Sequence, residues 1–161
     1  MADFDFQTFV MLAEYLLEEL QTQQEPTAAQ AQLRAIASRT YYGAYGFLRQ
    51  RLMTTCNGDC FGKSGLHDVL QELCTQAEND PHLNNIGQKL KRLYSYRIRA
   101  DYLFAEADAI TETDADTAID AAKQTCKKIG TLQVVQLRPL FLKCDEERDR
   151  RRSAARQSRP N

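Results

Sequence analysis

The amino-acid sequence predicts an all-α protein, an antiparallel bundle of four to five helices. Seven glycines and four prolines are few for 161 residues, and tryptophan is absent. Residues that favour helices (Ala, Leu, Gln, Glu and Arg) recur along the whole chain. Apolar residues repeat at steps of three and four, the period of an α-helix. The stretches between these repeats are short, which favours antiparallel packing of neighbouring helices.

Helix boundaries follow from the repeats and from capping residues. The predicted helices cover about 5–23 (starting at Asp3 or Asp5), 28–53, 65–79 and 83–104, with a fifth beginning at 113. Glu25-Pro26-Thr27 ends the first helix and caps the second. Asp80-Pro81 is an N-cap acid followed by a proline, which suits the first helical position. Thr113-Asp-Ala-Asp is interpreted as a capping box, and Gly130 is expected to interrupt the fifth helix before a short apolar continuation.

The second helix combines a regular inward stripe with two glycines on its other side. The stripe consists of Ala37, Tyr41, Ala44, Tyr45, Leu48 and Leu52. Tyr42, Gly43 and Gly46 are predicted to face away from it. A glycine in a helix interior costs about 1 kcal/mol relative to alanine. The pair therefore indicates the close approach of another helix, from the same chain or from a second subunit.

The fourth helix carries a charged break in its apolar stripe. Apolar residues fall at Leu83, Ile86, Leu90, Leu93, Ala100 and Phe104. Arg97 and Asp101 lie near the centre of the same face, where an unpaired charge would be costly. One interpretation is a structural i, i+4 ion pair. The other is a polar site that Arg97 and Asp101 form with Tyr94 and Tyr102, and the sequence leaves both open.

Length and charge predict one domain, residues 1–144, followed by a flexible Arg-rich tail, residues 145–161. Residues 101–120 contain seven acids and no Lys or Arg, whereas residues 148–161 contain six arginines and one acid. Such a tail attracts phosphate backbones, although a purely solvated tail is the alternative. The candidate RNA-binding residues are Arg39 on the second helix and Arg148, Arg150, Arg151 and Arg152 in the tail.

Other signals bear on localisation and on metal sites. No apolar run approaches the length of a membrane span, and the N-terminus is acidic, so neither a transmembrane segment nor a secretory signal is expected. Five cysteines at scattered spacing favour a reducing cytoplasm over a disulfide scaffold. Cys56, Cys60 and His67 fall short of the four ligands of a structural zinc site. We therefore predict no metal and no cofactor.

Two tyrosine-rich motifs lie on the second and fourth predicted helices. The first is Ser38-Arg-Thr-Tyr-Tyr-Gly-Ala-Tyr, and the second is Leu93-Tyr-Ser-Tyr-Arg-Ile-Arg-Ala-Asp-Tyr102. Read as SRxYY followed by RxxADY, they resemble the HEPN superfamily, most closely its small stand-alone prokaryotic members. The resemblance covers most of residues 5–130. It implies a helical bundle that dimerises through the two motif-bearing helices.

The resemblance also implies a function, and the sequence departs from it at one place. Many HEPN proteins are RNA-cleaving toxins or defence effectors, often encoded with a nucleotidyltransferase partner. Their metal-independent site consists of an Arg, four to six intervening residues and then a His. Arg97 matches that Arg, but Tyr102 stands where the His is expected, no histidine follows His82, and Phe104 replaces a Tyr found in some toxins. The general acid or base of the family mechanism is therefore missing from its expected place, and Arg97 alone carries over, as a stabiliser of phosphate or transition-state charge.

Three functions follow from these observations. The first is a HEPN-type toxin or defence component that acts on RNA, with Arg97, Asp101 and Tyr102 as a variant site. The second is a non-catalytic HEPN module that serves as a binding or dimerisation partner. The third is an unrelated helical adaptor with a nucleic-acid-binding tail.

Overall fold

The structure, a computed structural model, describes residues 5–58, 67–77 and 79–157, apart from the side chain of Glu106. Within these ranges the chain forms α-helices and one short 3-10 turn, and no strand. The helices are α1 (Gln7–Leu20), α2 (Pro26–Cys56), α3 (His67–Thr75), α4 (Pro81–Tyr102), α5 (Glu112–Thr131) and α6 (Val134–Gln157), and the 3-10 turn is Glu106–Asp108. The all-α prediction is confirmed. The described ranges hold one helix more than the four to five predicted, because α6 is a full helix.

The described residues divide into two compact units. The first unit draws on residues 1–48 and 89–130, and the second on residues 49–88 and 131–161. The long helices α2 and α4 contribute residues to both. The motifs of α2 and α4 that carry the predicted site belong to the first unit.

The core of the first unit contains the predicted inward stripe of α2. Ala37, Tyr41, Ala44 and Leu48 have no exposed surface, and Tyr45 is nearly as buried. Helices α4 and α5 add buried side chains at the same helical spacing, namely Leu90, Leu93, Ala118, Ala122, Cys126 and Ile129. Burial of such side chains is the main favourable contribution to folding.

The two glycines of α2 are covered by α1 of the same chain. A Cβ atom at Gly43 would lie 2.7 Å from Cγ2 of Val10, and one at Gly46 would overlap the ring of Phe6. The predicted close approach is therefore confirmed, and the approaching helix is α1. Of the two origins predicted for the approaching helix, the structure shows the one within the same chain, since Phe6 and α1 already occupy the space that the glycines leave free.

Side-chain caps fix the starts of α4 and α5. Oδ1 of Asp80 accepts the backbone N–H groups of His82 and Leu83 at 2.9 and 3.0 Å, which confirms the predicted N-cap. The capping box of α5 joins Thr111 and Asp114, whose side chains each accept the other's backbone N–H at 3.1 Å. The predicted box at Thr113 was two residues too late.

The end of α4 also differs from the prediction. The helix ends at Tyr102 rather than at Phe104, and the Phe104 side chain is 77% exposed instead of lying in the core. Nη1 of Arg34, on α2, donates to the carbonyls of Arg99, Ala100 and Leu103 at 2.9, 3.0 and 2.7 Å. A cation at this position satisfies carbonyl groups that lack helical partners and suits the helix dipole.

The second unit packs α3 against α6. Leu70, Cys74, Leu137, Leu140 and Cys144 are buried there. Residues 145–157 were predicted as a flexible tail, but they continue α6 as helix as far as Gln157. Glu147 pairs with Arg150 and Arg151, three and four residues later, and such pairs favour a helix. None of the helices in the described ranges is long and apolar enough to cross a membrane.

Candidate functional site

Arg97 lies at the centre of a polar cluster in the first unit. Its Nε is 2.8 Å from Oδ2 of Asp101, one turn later on α4. Its Nη2 donates to the hydroxyl of Tyr42 at 2.9 Å and to that of Tyr102 at 2.6 Å. The Arg97 side chain is 14% exposed and that of Asp101 is 29% exposed. The charged break predicted in the stripe of α4 is thus a partly buried cluster at the edge of the core.

Three tyrosine rings surround the guanidinium of Arg97. Its central carbon lies 4.5, 5.6 and 6.0 Å from the ring centroids of Tyr102, Tyr42 and Tyr94. Each distance is within the range of cation–π attraction. Tyr41 contacts two of these rings, edge-to-face with Tyr42 and tilted against Tyr94, each with centroids 5.4 Å apart. We call Arg97, Asp101, Tyr42, Tyr94 and Tyr102 the Arg97 cluster.

The contacts of Arg97 differ in kind. Its Nε–H is not aligned with a hydrogen-bond acceptor, so the contact with Asp101 is an ion pair rather than a directed hydrogen bond. Burial by itself would lower the pKa of Arg97. The hydrogen bonds to the hydroxyls of Tyr42 and Tyr102 outweigh burial and raise that pKa above its ordinary value. Arg97 therefore stays cationic over the whole range in which proteins work.

The three nitrogens of the Arg97 guanidinium differ in their contacts. Nη2 is used by the two tyrosine hydroxyls and Nε faces Asp101, whereas Nη1 has no hydrogen-bond partner among the described residues. Next to it, the ring of Tyr102 is 58% exposed. A guanidinium with free N–H groups beside an exposed tyrosine can bind an anion such as a phosphate.

No imidazole belongs to the Arg97 cluster. The two histidines of the chain, His67 and His82, fall in the second unit. The cluster offers one carboxylate, Asp101, which already neutralises Arg97, and the tyrosine hydroxyls. Its groups can therefore hold and orient a phosphate, but it lacks the usual side chain for proton transfer near neutral pH.

The structure brings together the three residues predicted as a site, Arg97, Asp101 and Tyr102. It does not place Arg39 among them. The guanidinium carbon of Arg39 lies 5.3 Å from the centroid of the Phe9 ring, on α1. The remaining RNA-binding candidates lie on α6, in the second unit.

Three of the four tail arginines predicted to bind RNA are already paired with carboxylates. Arg148 contacts Asp145 and Asp149, and Arg150 contacts Glu147. Arg151 contacts Glu147 and also reaches Asp68 on α3, 2.7 Å away. Among the residues described on α6, Arg152 and Arg156 are the arginines of this stretch without an ion pair. The tail presents less free positive charge than its arginine count indicates.

Sequence reasoning missed three residues that shape the site. Tyr42 was assigned to the outer side of α2, yet its hydroxyl accepts a hydrogen bond from Arg97. The hydroxyl of Ser38 lies 3.5 Å from Oδ2 of Asp101, at the limit of a hydrogen bond. Arg34 holds the end of α4 next to the cluster. Ser38 and Tyr42 belong to the SRxYY motif, which was the available signal for both.

The surroundings of Cys74 and Cys126 are those of unreactive thiols. Burial, with a smaller effect from Asp80, raises the pKa of the Cys74 thiol to about 12, and burial raises that of Cys126 to about 11. Thiols in such surroundings stay protonated and inert. No group of three or more potential metal ligands occurs among the residues that the structure describes. Cys60, considered above with Cys56 and His67, lies outside those residues.

Comparisons with protein-family models, curated proteins and solved structures found no match to this chain.

Proposed function

We propose that this protein is a HEPN-type component of a prokaryotic toxin–antitoxin or defence system that binds RNA through the Arg97 cluster. The proposal is supported by the motif resemblance and by the geometry of Arg97. The decisive observation is that a partly buried arginine is held by Asp101, Tyr42 and Tyr102 while its Nη1 keeps no partner among the described residues.

Each residue of the cluster has a definite role in this proposal. Nη1 of Arg97 donates to a phosphate oxygen, and the fixed position of the guanidinium removes the need to order it on binding. Asp101 holds Arg97 in place. The Tyr102 hydroxyl, bonded to Nη2 at 2.6 Å, lies beside the phosphate and supplies a second polar contact. If the bound RNA is also cleaved, Arg97 stabilises charge that develops on the phosphate.

The absence of an imidazole from the cluster favours a second candidate, a non-catalytic HEPN module. In this role the protein forms a homodimer or binds a partner, such as a nucleotidyltransferase or another defence protein, and cleaves nothing itself. The glycine face of α2 is occupied by α1, so a dimer would have to use another surface. Sedimentation at tens of micromolar, an ordinary range for moderate affinity, tests for the dimer.

The test of the proposed function uses purified full-length protein and a labelled structured RNA with single-stranded loops. Binding and cleavage are measured with and without divalent metal, for the wild type and for Arg97→Ala. Arg92→Ala is the matched control, because Arg92 is an exposed arginine on the same helix. We expect Arg97→Ala to weaken binding at least tenfold and Arg92→Ala to leave it unchanged. Equal affinity of the wild type and Arg97→Ala would refute the proposal, and binding without cleavage would favour the second candidate.

A further inference from the structure

Two aromatic rings are exposed at the end of α4, and each is backed by an arginine. Tyr102 is 58% exposed and Phe104 is 77% exposed. The guanidinium carbon of Arg97 lies 4.5 Å from the Tyr102 centroid, and that of Arg34 lies 5.0 Å from the Phe104 centroid. Each ring thus has a cation over one face, within the range of cation–π attraction, while much of its remaining surface meets solvent.

The two backing arginines are themselves fixed to the protein. Arg34 donates to three carbonyls at the end of α4. Arg97 is bonded to Tyr42 and paired with Asp101. The rings are consequently held on anchored groups, and little conformational freedom is lost when a flat ligand stacks on them.

We propose that Tyr102 and Phe104 form a base-stacking platform for single-stranded RNA beside the phosphate contact at Arg97. This inference rests on the proposed function and adds the form of RNA that the site takes. Unpaired bases stack on aromatic side chains, whereas bases inside a duplex already stack on one another. Nη1 of Arg97, which has no hydrogen-bond partner among the described residues, belongs to the guanidinium beside the Tyr102 ring. It suits a phosphate, which a purely apolar protein partner would not supply.

The charges around the platform predict how binding responds to salt. Asp101 neutralises Arg97 and Asp114 neutralises Arg99, while residues 106–120 add further acids. Two arginines near the platform are thus neutralised by carboxylates, which weakens its general attraction for polyanions. We expect binding at the platform itself to depend mainly on stacking, and the single phosphate contact at Arg97 to contribute only about −0.7 to the salt slope.

A fluorescent reporter tests the platform directly. The chain contains no tryptophan, so Phe104→Trp introduces a single indole whose emission reports on stacking at that position. The protein is titrated with a labelled single-stranded oligoadenylate of about twelve nucleotides, a length within the usual site size. The RNA should quench the indole emission, and the RNA concentration at half-maximal quenching should equal the concentration at the midpoint of a binding curve measured by anisotropy of the labelled RNA. Phe104→Leu keeps an apolar side chain but removes the ring, and should weaken binding about 5- to 100-fold. Leu103→Ala, an exposed neighbour without a ring, is the control and should change little.

The outcomes separate the platform from the proposed function. Quenching together with weaker binding by Phe104→Leu supports both. If Arg97→Ala loses RNA while Phe104→Leu does not and no quenching occurs, the platform is refuted and the proposed function stands. Equal affinity for a blunt duplex and for the single strand also refutes the platform. Absence of RNA binding refutes both proposals. If Phe104→Leu, but not Leu103→Ala, then sediments differently from the wild type, the surface at Tyr102 and Phe104 is a contact with another protein chain.

Discussion

Arg97 makes more contacts than neutralisation of Asp101 requires. A structural ion pair needs only the carboxylate, yet the two tyrosine hydroxyls also accept from Nη2 and three rings surround the guanidinium. The partial exposure of both charged side chains places the pair between a surface pair and a buried one. Its removal should therefore affect stability less than the loss of about 3–5 kcal/mol typical of a broken buried pair.

The first prediction separates a structural pair from a functional one. Arg97→Ala should remain folded and lose about 1–3 kcal/mol of unfolding free energy, the range between exposed and buried pairs, while RNA binding falls at least tenfold. Asp101→Asn should weaken RNA binding less, because the tyrosine hydroxyls still hold Arg97. Urea denaturation and RNA anisotropy on the same samples measure both quantities.

The double change Arg97→Leu with Asp101→Leu is compared with the single change Arg97→Ala. The double variant should regain the unfolding free energy that Arg97→Ala loses, since well-packed apolar residues often replace an ion pair without loss. It should not regain RNA binding. If the pair is purely structural, Arg97→Ala should also lose stability but should keep full RNA binding and full activity in every assay. That result would remove the functional interpretation.

At the scale of elements, the packing of α1 on α2 depends on two positions without a side chain. Gly46→Ala gains up to about 1 kcal/mol of helix propensity, but its methyl group would overlap the Phe6 ring. Overpacking of this kind destabilises by about 1–3 kcal/mol. We therefore expect Gly46→Ala to lower the midpoint of urea denaturation.

Gly130→Ala is the matched control for Gly46→Ala. A Cβ at Gly130 meets nothing within 4 Å, so this change should be neutral or stabilising. Truncation of the obstructing ring, Phe6→Ala, should bring the effect of Gly46→Ala close to that of Gly130→Ala. Equal effects of the two glycine changes in the intact protein would contradict the tight contact with α1.

A second prediction at this scale concerns Glu147 and the second half of α6. Hydrogen bonds from Arg150 and Arg151 lower the pKa of Glu147 from 4.5 to about 2. Because the pKa is depressed in the folded state, the stabilising effect is complete above pH 4.5 and is lost as the pH falls towards 2. Glu147→Gln should therefore reduce the helical circular dichroism signal and the melting temperature slightly at about pH 6, above that window. The difference from the wild type should vanish near pH 2, and a constant difference would exclude this pairing.

The particular elements show what a sequence can and cannot predict here. The inward stripe of α2 and the cap at Asp80 follow from local spacing, and the structure confirms both. The sequence did not decide which threonine caps α5, because Thr111 and Thr113 are each followed by an acid three residues later. Phe104 is exposed beyond the end of α4, where Arg34, far away in sequence, donates to the last carbonyls of the helix. Tyr42 was misplaced because a single inward stripe cannot represent a helix with neighbours on more than one side.

At the scale of the whole molecule, charge is distributed differently from its appearance in the sequence. Residues 145–152 contain four acids and four arginines, and the structure pairs most of them within α6 or with α3. Among the described residues of this stretch, the arginines without an ion pair lie further along the chain, at Arg152 and Arg156, and the sequence adds one more arginine at position 159. Any sequence-independent attraction of RNA should therefore come from the last ten residues rather than from the full run of arginines.

Truncation of residues 152–161 tests this distribution. It removes the three later arginines and keeps Arg151, which pairs with Asp68. The slope of log RNA affinity against log salt concentration should become shallower by about 0.7 for each phosphate that the shortened chain no longer binds. Affinity at high salt should change little, because the truncation leaves the Arg97 cluster intact. The double change Arg150→Gln with Arg151→Gln removes two arginines that carboxylates already neutralise, so its salt slope should stay near that of the wild type. A slope that responds to the double change and not to the truncation would show that the paired arginines bind RNA instead.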